Sequence, residues 1–440
     1  MSKLDVALKE LGDFIRAVHE DITTAESTAS IPEASRTVVP GVMFSLKDYG
    51  ALTLDGKDAE EFQILLNRAI SAVGDRTSKR FVEGHIQDCV LRTLDINGIT
   101  GVPFDQRLKA NLQALKSSLL KPSRRWLVYL RVEGLGAQGL PLSVGNATFC
   151  VMDDSRVGSL QEILSAIVDS TKNSDEVKTR VKQESKDDIH GRLRGRVVAV
   201  VEVPAVESEA AITLAVKELR STLDAINFFS DLLVQRGLRC RVRLPSEPQT
   251  VNEIIPVYTQ EGAPFFSLAY RVLGPLQDLP ASVLASPRAS ELGFPRVSSL
   301  LAKPDRNEVE DAVVASLQLA GRATVEERRE VAFLLYMIAV ESLVAHEGAP
   351  EIGYRLGQRI AILLGDDLTR RKRILEIVYG LYDKRSGIAH SGYAEVADAD
   401  LALARRIAKT AVLRFLLDEP FVSMRERKEI ATWLEDQLLG

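Results

Sequence analysis

From Asn307 to the C-terminus the apolar residues of this chain recur at helical spacing, and REVAFLLYMIAVESLV (329–344) is apolar nearly all round. A helix solvated on one side carries a polar face, so a helix without one has to be enclosed by others. The segment therefore predicts a helical bundle with 329–344 at its buried centre. One stripe on it is Val331, Leu334, Leu335 and Ile338; another is Phe333, Met337, Val340 and Val344. Asn307 is placed to cap the preceding helix, which carries Val309, Val313, Leu317 and Ala320. Thr324 with Glu327 reads as a capping box for the central helix. The next helix uses Ile352, Leu356, Ile360, Leu363 and Leu364, and the one after it Ile374, Ile377, Val378, Leu381 and Tyr382. DADLALARRIAKTAVLRFLL (398–417) follows, then a last helix capped by Ser423 with Glu426 that buries Ile430, Trp433, Leu434 and Leu438.

The rest of the chain has a different character. Leu4, Ala7, Leu8, Leu11, Phe14, Ile15 and Val18 form a helical stripe, and 22–40 reads as a linker or extended arm. Phe62, Leu65, Leu66, Ala69, Ile70 and Val73 mark a second helix; Val82, Ile86, Cys89 and Val90 mark a third. At Trp126 the pattern turns to strands: WLVYLRVE, then Leu142, Val144, Phe149 and Val151, with turn signals at 134–139 and at Gly145 with Asn146. Residues 168–191 are charged and read as an excursion or a solvated helix. RVVAVVEV (196–203) is a buried strand by its continuous apolar run. Ile212, Ala215, Val216, Leu219, Leu223 and Ile226 then form a helical stripe.

LRCRVRL (238–244) alternates strictly and sets Arg239, Arg241 and Arg243 on one strand face, about 7 Å apart. That spacing suits a phosphate backbone; alternation suits an ordinary solvated face equally. Residues 245–306 are dotted with proline and read as irregular. The expected organisation is multidomain α+β: a mainly helical region over 1–125, a mixed α+β domain over 126–306 with a regulatory or sensing role, and an all-α bundle over 307–440.

A net charge of −5 over 440 residues argues against a general nucleic-acid coat protein. Between Leu368 and Arg414, however, ten Lys and Arg stand against five Asp and Glu, so any anionic ligand is sought there. Cys89, Cys150 and Cys240 are far apart and match no zinc spacing. No apolar run approaches the ~20 residues that span a bilayer, and the acidic amphipathic N-terminus is unlike a signal peptide. The expectation is a cytoplasmic protein.

Within the basic stretch lies LYDKRSGIAHSG (381–392), where Arg385 precedes His390 by five positions. The spacing alone is weak, because Arg80 precedes His85 by five positions as well. His85 shares an apolar face with Val82, Ile86 and Cys89, which makes it a core-edge residue. Residues five apart on a regular helix point ~140° away from each other. Gly387 and Gly392 suggest that the backbone leaves regular helix there, letting Arg385 and His390 converge; Gly392 also reads as a simple helix C-cap.

YDKRSGIAHSG resembles the signature of HEPN domains, in particular the ApeA-like branch, in which an Arg-Ser pair precedes a His-Gly or His-Ser-Gly. MIAVESLV (337–344) resembles the central helix of that family, and IGYRLGQRIAILLG (352–365) its next helix. The resemblance covers about 307–440 and extends more loosely over 126–245. It implies a HEPN helical bundle acting as a homodimer, with no cofactor and no metal, and cutting RNA by attack of the 2′-OH. By that resemblance His390 transfers protons, Arg385 stabilises the phosphorane, and Ser386 bonds the phosphate or orients the histidine. Glu341 holds Arg385 in place or else pairs with another arginine of the bundle. Arg370, Arg371, Lys372, Arg373, Lys384, Arg405 and Arg406 would draw in the RNA, or serve as solvated helix faces. The implied biology is a toxin or phage-defence effector whose N-terminal region binds a trigger or regulator. The alternative is a non-catalytic HEPN module that dimerises or binds nucleotide or RNA for signalling.

Overall fold

The computed structural model describes residues 2–27, 42–46, 49–54, 56–170, 174–234, 240–245, 253–259, 265–271, 277–344, 352–391 and 395–439. These residues are mostly helical, with small sheets confined to the first two thirds of the chain. The chain divides into two compact units, one of Met1–Val128 with Glu202–Ala215 and one of Tyr129–Val201 with Val216–Gly440. The first is discontinuous in sequence, taking in 202–215 as well as 1–128. The second holds 129–201 and the C-terminal helices together, and the strands Arg124–Arg131 and Val197–Ala205 each contribute residues to both units.

In the first unit, α1 (Lys3–Ser27), α2 (Gly56–Val73), α3 (Lys79–Leu94) and α4 (Phe104–Leu119) accompany a hairpin of β1 (Val42–Leu46) and β2 (Gly50–Leu54). The whole α1 stripe from Leu4 to Val18 is buried with Phe62, Leu66, Ile86 and Leu91. The helix runs to Ser27, six residues into the expected linker, and the remainder of that linker lies outside the described residues. His85 is a core-edge residue: its Nδ1 is 3.0 Å from the Phe81 carbonyl and its ring lies 4.1 Å from that of Phe81. Cys89 is buried, and burial pushes its thiol up to about 12.

β3 (Arg124–Arg131), β4 (Leu135–Gly136), β5 (Leu142–Val144), β6 (Ala147–Val151) and β7 (Val197–Ala205) come next, with α5 (Asp154–Asp169) and α6 (Asp175–Leu193) between the last two. The sheet order is β3-β7-β6-β5, so the continuous apolar run of β7 is an interior strand. β5 and β6 form a hairpin turning at Gly145, whose φ of +59° favours glycine. The charged stretch expected as excursion or solvated helix is α6, mostly exposed, with Ile189 turned inward.

α7 (Ser208–Leu233) buries Ala215, Leu219, Leu223 and Ile226 as expected, but Ile212 is 53% exposed and Ala211 is buried instead. Two strands, β8 (Glu253–Thr259) and β9 (Phe265–Arg271), pair antiparallel in the stretch expected to be irregular. β10 (Leu279–Pro280) pairs with β4, and α8 (Ala281–Leu284), α9 (Pro287–Glu291) and α10 (Phe294–Ala302) follow. The prolines misled the sequence reading here because Pro287 and Pro295 open helices, where the missing N–H costs nothing.

The C-terminal bundle comprises α11 (Glu308–Val325), α12 (Arg329–Val344), α13 (Ile352–Leu364), α14 (Leu368–Ser391), α15 (Asp398–Leu417) and α16 (Arg427–Leu439). α12 lies chiefly against α11 and α15, and α13 pairs with α14. Asn307 caps α11 in a reciprocal box with Glu310. The other two expected caps are not used. Thr324 sits inside the last turn of α11 and bonds Ala320 O and the Tyr336 hydroxyl, and Ser423 bonds Glu419 and Pro420. Glu429 instead accepts from the backbone N–H groups of Arg425 and Glu426 ahead of α16. Leu438 is 54% exposed.

The part of α7 within this unit is fastened to the bundle. Asn227 brackets Val242 with two 2.9 Å hydrogen bonds, and a Cβ on Gly321 would stand 1.9 Å from Asp224 O. Asp231 is held by Lys409 and by Arg405, whose Nε lies 2.8 Å from its Oδ2. Lys409 is 5% exposed; burial and then the nearby Arg405 push its amine down, and Asp231 supplies the counter-charge. Asp231→Asn would leave the buried Lys409 amine, with the half-exposed Arg405 beside it, against an amide, an expected loss of about 3 kcal/mol in urea unfolding. A loss no larger than that of an exposed Asp→Asn would show that the cluster is solvated.

Candidate functional site

Arg385 lies on α14 and Glu341 on α12, 44 residues earlier. The guanidinium meets the carboxylate edge-on: Nε donates to Oε1 and Nη2 to Oε2, both at 2.9 Å. The side chains are 25% and 15% exposed, so the pair stands at the margin of the bundle. This bidentate geometry is the strong form of a charge-assisted pair. It engages two of the five guanidinium N–H groups. The remaining three, on Nη1 and Nη2, are the ones a phosphate could reach. Tyr382, one turn earlier on α14, places its ring centroid 5.8 Å from the Arg385 carbon Cζ.

The structure does not bring His390 to Arg385 within one chain. α14 is helical without a break through Gly387 as far as Ser391, and Gly392 lies outside the described residues. The expected departure from regular helix is therefore corrected. A glycine costs a helix roughly 1 kcal/mol, which the packing of a 24-residue helix offsets. On this regular helix Arg385 turns toward α12 while His390, about 140° round and 7.5 Å further along, is exposed. Ser386 is half-buried beside Arg385 in sequence.

The surrounding cations divide sharply. Lys384 binds Asp400 at the start of α15, and Arg405 binds Asp231. Arg370 pairs with Asp366 at 2.6 Å, and Arg371 donates from Nε to Gly365 O at 3.1 Å. Lys372, Arg373 and Arg406 are exposed and form no ion pair among the described residues. Most of the expected basic approach is thus committed to the fold. The same holds for the proposed arginine strand face. Arg243 is 6% exposed and bonds Glu133 at 2.6 Å, Arg241 bonds Glu327 at 3.0 Å, and Arg239 lies outside the described residues. Arg241 and Arg243 are therefore held by carboxylates and do not form a solvated strand face. The strict alternation of 238–244 does not become a strand with one polar face: Val242, Arg243 and Leu244 are all buried, and Arg243 forms an isolated bridge with Glu133.

Tyr382 was missed as a site residue because its position in the apolar stripe already explained it. The available signal was its i, i+3 relation to Arg385. Among the described residues no group of three or more His, Cys, Asp and Glu could hold a metal ion, and no helix is long and apolar enough to cross a membrane. No family model, curated protein or solved structure matches the chain.

Glu341→Ala leaves Arg385 without its counter-charge at a half-buried position. The expected loss is about 2 kcal/mol in urea unfolding, with Glu341→Gln recovering part of it. Equal stability of all three proteins would mean that water satisfies Arg385 as well as Glu341 does.

Proposed function

We propose that residues 307–440 are a HEPN-like domain that cleaves RNA without a metal ion, using Arg385 and His390. The observation that carries this reading is Arg385 itself. Its fork is fixed by Glu341, three donors have no partner among the described residues, and an exposed histidine stands about one and a half turns along the same helix. In the proposed reaction His390 takes the proton from the ribose 2′-OH. The resulting oxygen attacks phosphorus, and the bond to the 5′-oxygen breaks as that oxygen takes the proton back from the imidazolium so formed. Arg385 meets the added charge on the non-bridging oxygens, and Ser386 hydrogen-bonds one of them. The products are a 2′,3′-cyclic phosphate and a 5′-hydroxyl. DNA, lacking the nucleophile, is not cut.

Because Arg385 and His390 diverge on one helix, the reaction calls for a second copy whose α14 supplies the complementary group. The outer stripe of α12 favours such a partner. Val331, Leu334 and Leu335 are half-buried, and Ile338 is 37% exposed. Leu334, Ile338 and Glu341 follow one flank of the helix by their spacing. Lys372, Arg373 and Arg406 would draw in the RNA, and the N-terminal region would bind a trigger, as suits a cytoplasmic toxin or defence effector. The second reading, a binding module without catalysis, is favoured by that same divergence within a single chain.

Wild type, Arg385→Ala and His390→Ala, each shown to fold, are incubated with labelled single-stranded RNA in EDTA. Cleavage by wild type to cyclic-phosphate ends, with each variant slower by about 100- to 10,000-fold, is the expected result. RNA binding by all three with no cleavage by any would favour the binding module. In mixtures of Arg385→Ala with His390→Ala, partial recovery of cleavage is expected if the two residues act across two copies.

A further inference from the structure

We propose that Tyr382 is the positioning residue of the Arg385 site, flanking the guanidinium that Glu341 grips; this deepens the nuclease reading and rests on it. Three observations meet at this ring. Its centroid lies 5.8 Å from Arg385 Cζ, within the range at which a cation is attracted to an aromatic face. The ring is half-buried, so it loses little freedom when a ligand arrives. And its own place is set by α13: a Cβ added to Gly353 would stand 2.6 Å from Tyr382 Cδ1 and 2.8 Å from Cε1. The absence of a side chain at 353 is thus what lets the ring sit where it does. Gly353 seats Tyr382, Tyr382 flanks the guanidinium, and Glu341 grips the Nε–Nη2 edge.

The consequence is a guanidinium restrained by a carboxylate and a ring, with the two donors of its Nη1–Nη2 edge set in place before substrate binds. A bidentate carboxylate alone leaves the arginine free to hinge about the shared edge; a ring beside it removes that motion. Donors fixed in advance cost no reorganisation when charge develops on the phosphate, so the restraint acts on the chemical step and not on the affinity for RNA. Tyr382 touches no reacting atom and acts only through Arg385.

The test follows the Arg385 Nε–Hε NMR signal, assigned by its loss in Arg385→Lys, together with single-turnover RNA cleavage. The proteins are wild type, Tyr382→Phe, Tyr382→Leu, Tyr382→Ala and Gly353→Ala. The wild-type order parameter is expected near ~0.85, retained in Tyr382→Phe and falling below ~0.6 in Tyr382→Leu, Tyr382→Ala and Gly353→Ala. The cleavage rate should fall about 10- to 100-fold in those same three, with RNA affinity within about two-fold and the rate restored by phenylalanine. Tyr382→Leu keeps an apolar side chain over Gly353, so it carries the test if the alanine variant does not fold. An unchanged order parameter in Tyr382→Leu and Tyr382→Ala would overturn the proposal. Absence of cleavage by wild type would sink the nuclease reading alone, because the NMR arm still decides whether Tyr382 holds Arg385.

Discussion

The C-terminal bundle depends on the burial of α12. Phe333, Tyr336, Met337, Val340, Leu343 and Val344 are all nearly inaccessible, and α11 and α15 lie along them. A helix so apolar tolerates few charges, and its second half carries one, Glu341. A carboxylate at the margin of such a helix is stable only where a cation reaches it in good geometry. Arg385 does so edge-on, and in doing so ties α14 to α12. The candidate site is therefore a by-product of packing as much as a device placed on it: the same pair satisfies the buried helix and orients the arginine.

A second theme is the use of cations inside the fold. Lys409 with Arg405 on Asp231, Lys384 on Asp400, Arg243 on Glu133 and Arg241 on Glu327 each join segments distant in sequence. Pairs of this kind add little net stability, yet they penalise every alternative packing that would strand one of the charges. In the second compact unit they fasten α7 to α15 and the 241–243 segment to its neighbours. A chain that spends its arginines this way has fewer to offer a polyanion than its composition suggests. The basic character of 368–414 is real as a count, but only Lys372, Arg373 and Arg406 among the cations proposed for RNA remain exposed without an ion pair among the described residues.

The site was legible in part. Arg385, His390 and Glu341 were singled out from their residue types and from a resemblance, and the structure pairs two of them. What failed was the inference from Gly387 that the helix bends: propensity is a weak local preference, and the packing of a long helix overrides it. Tyr382 and Gly353 escaped notice because each has an adequate local explanation, one as an apolar residue and the other as a small one. Their relation exists only where α13 crosses α14.

By itself the sequence determined the helical periodicity of the bundle, the central place of 329–344, the buried strand read at 196–203 and the cap at Asn307. Each is a local matter, since the spacing of apolar side chains and a cap hydrogen bond are settled within a few residues. Tertiary structure alone decided which carboxylate meets which arginine, that Pro287 and Pro295 begin helices in a stretch that reads as irregular, and that His390 turns away from Arg385. Those outcomes depend on side chains brought together from tens to hundreds of positions apart, and on the competition between a local preference and the packing of a whole helix.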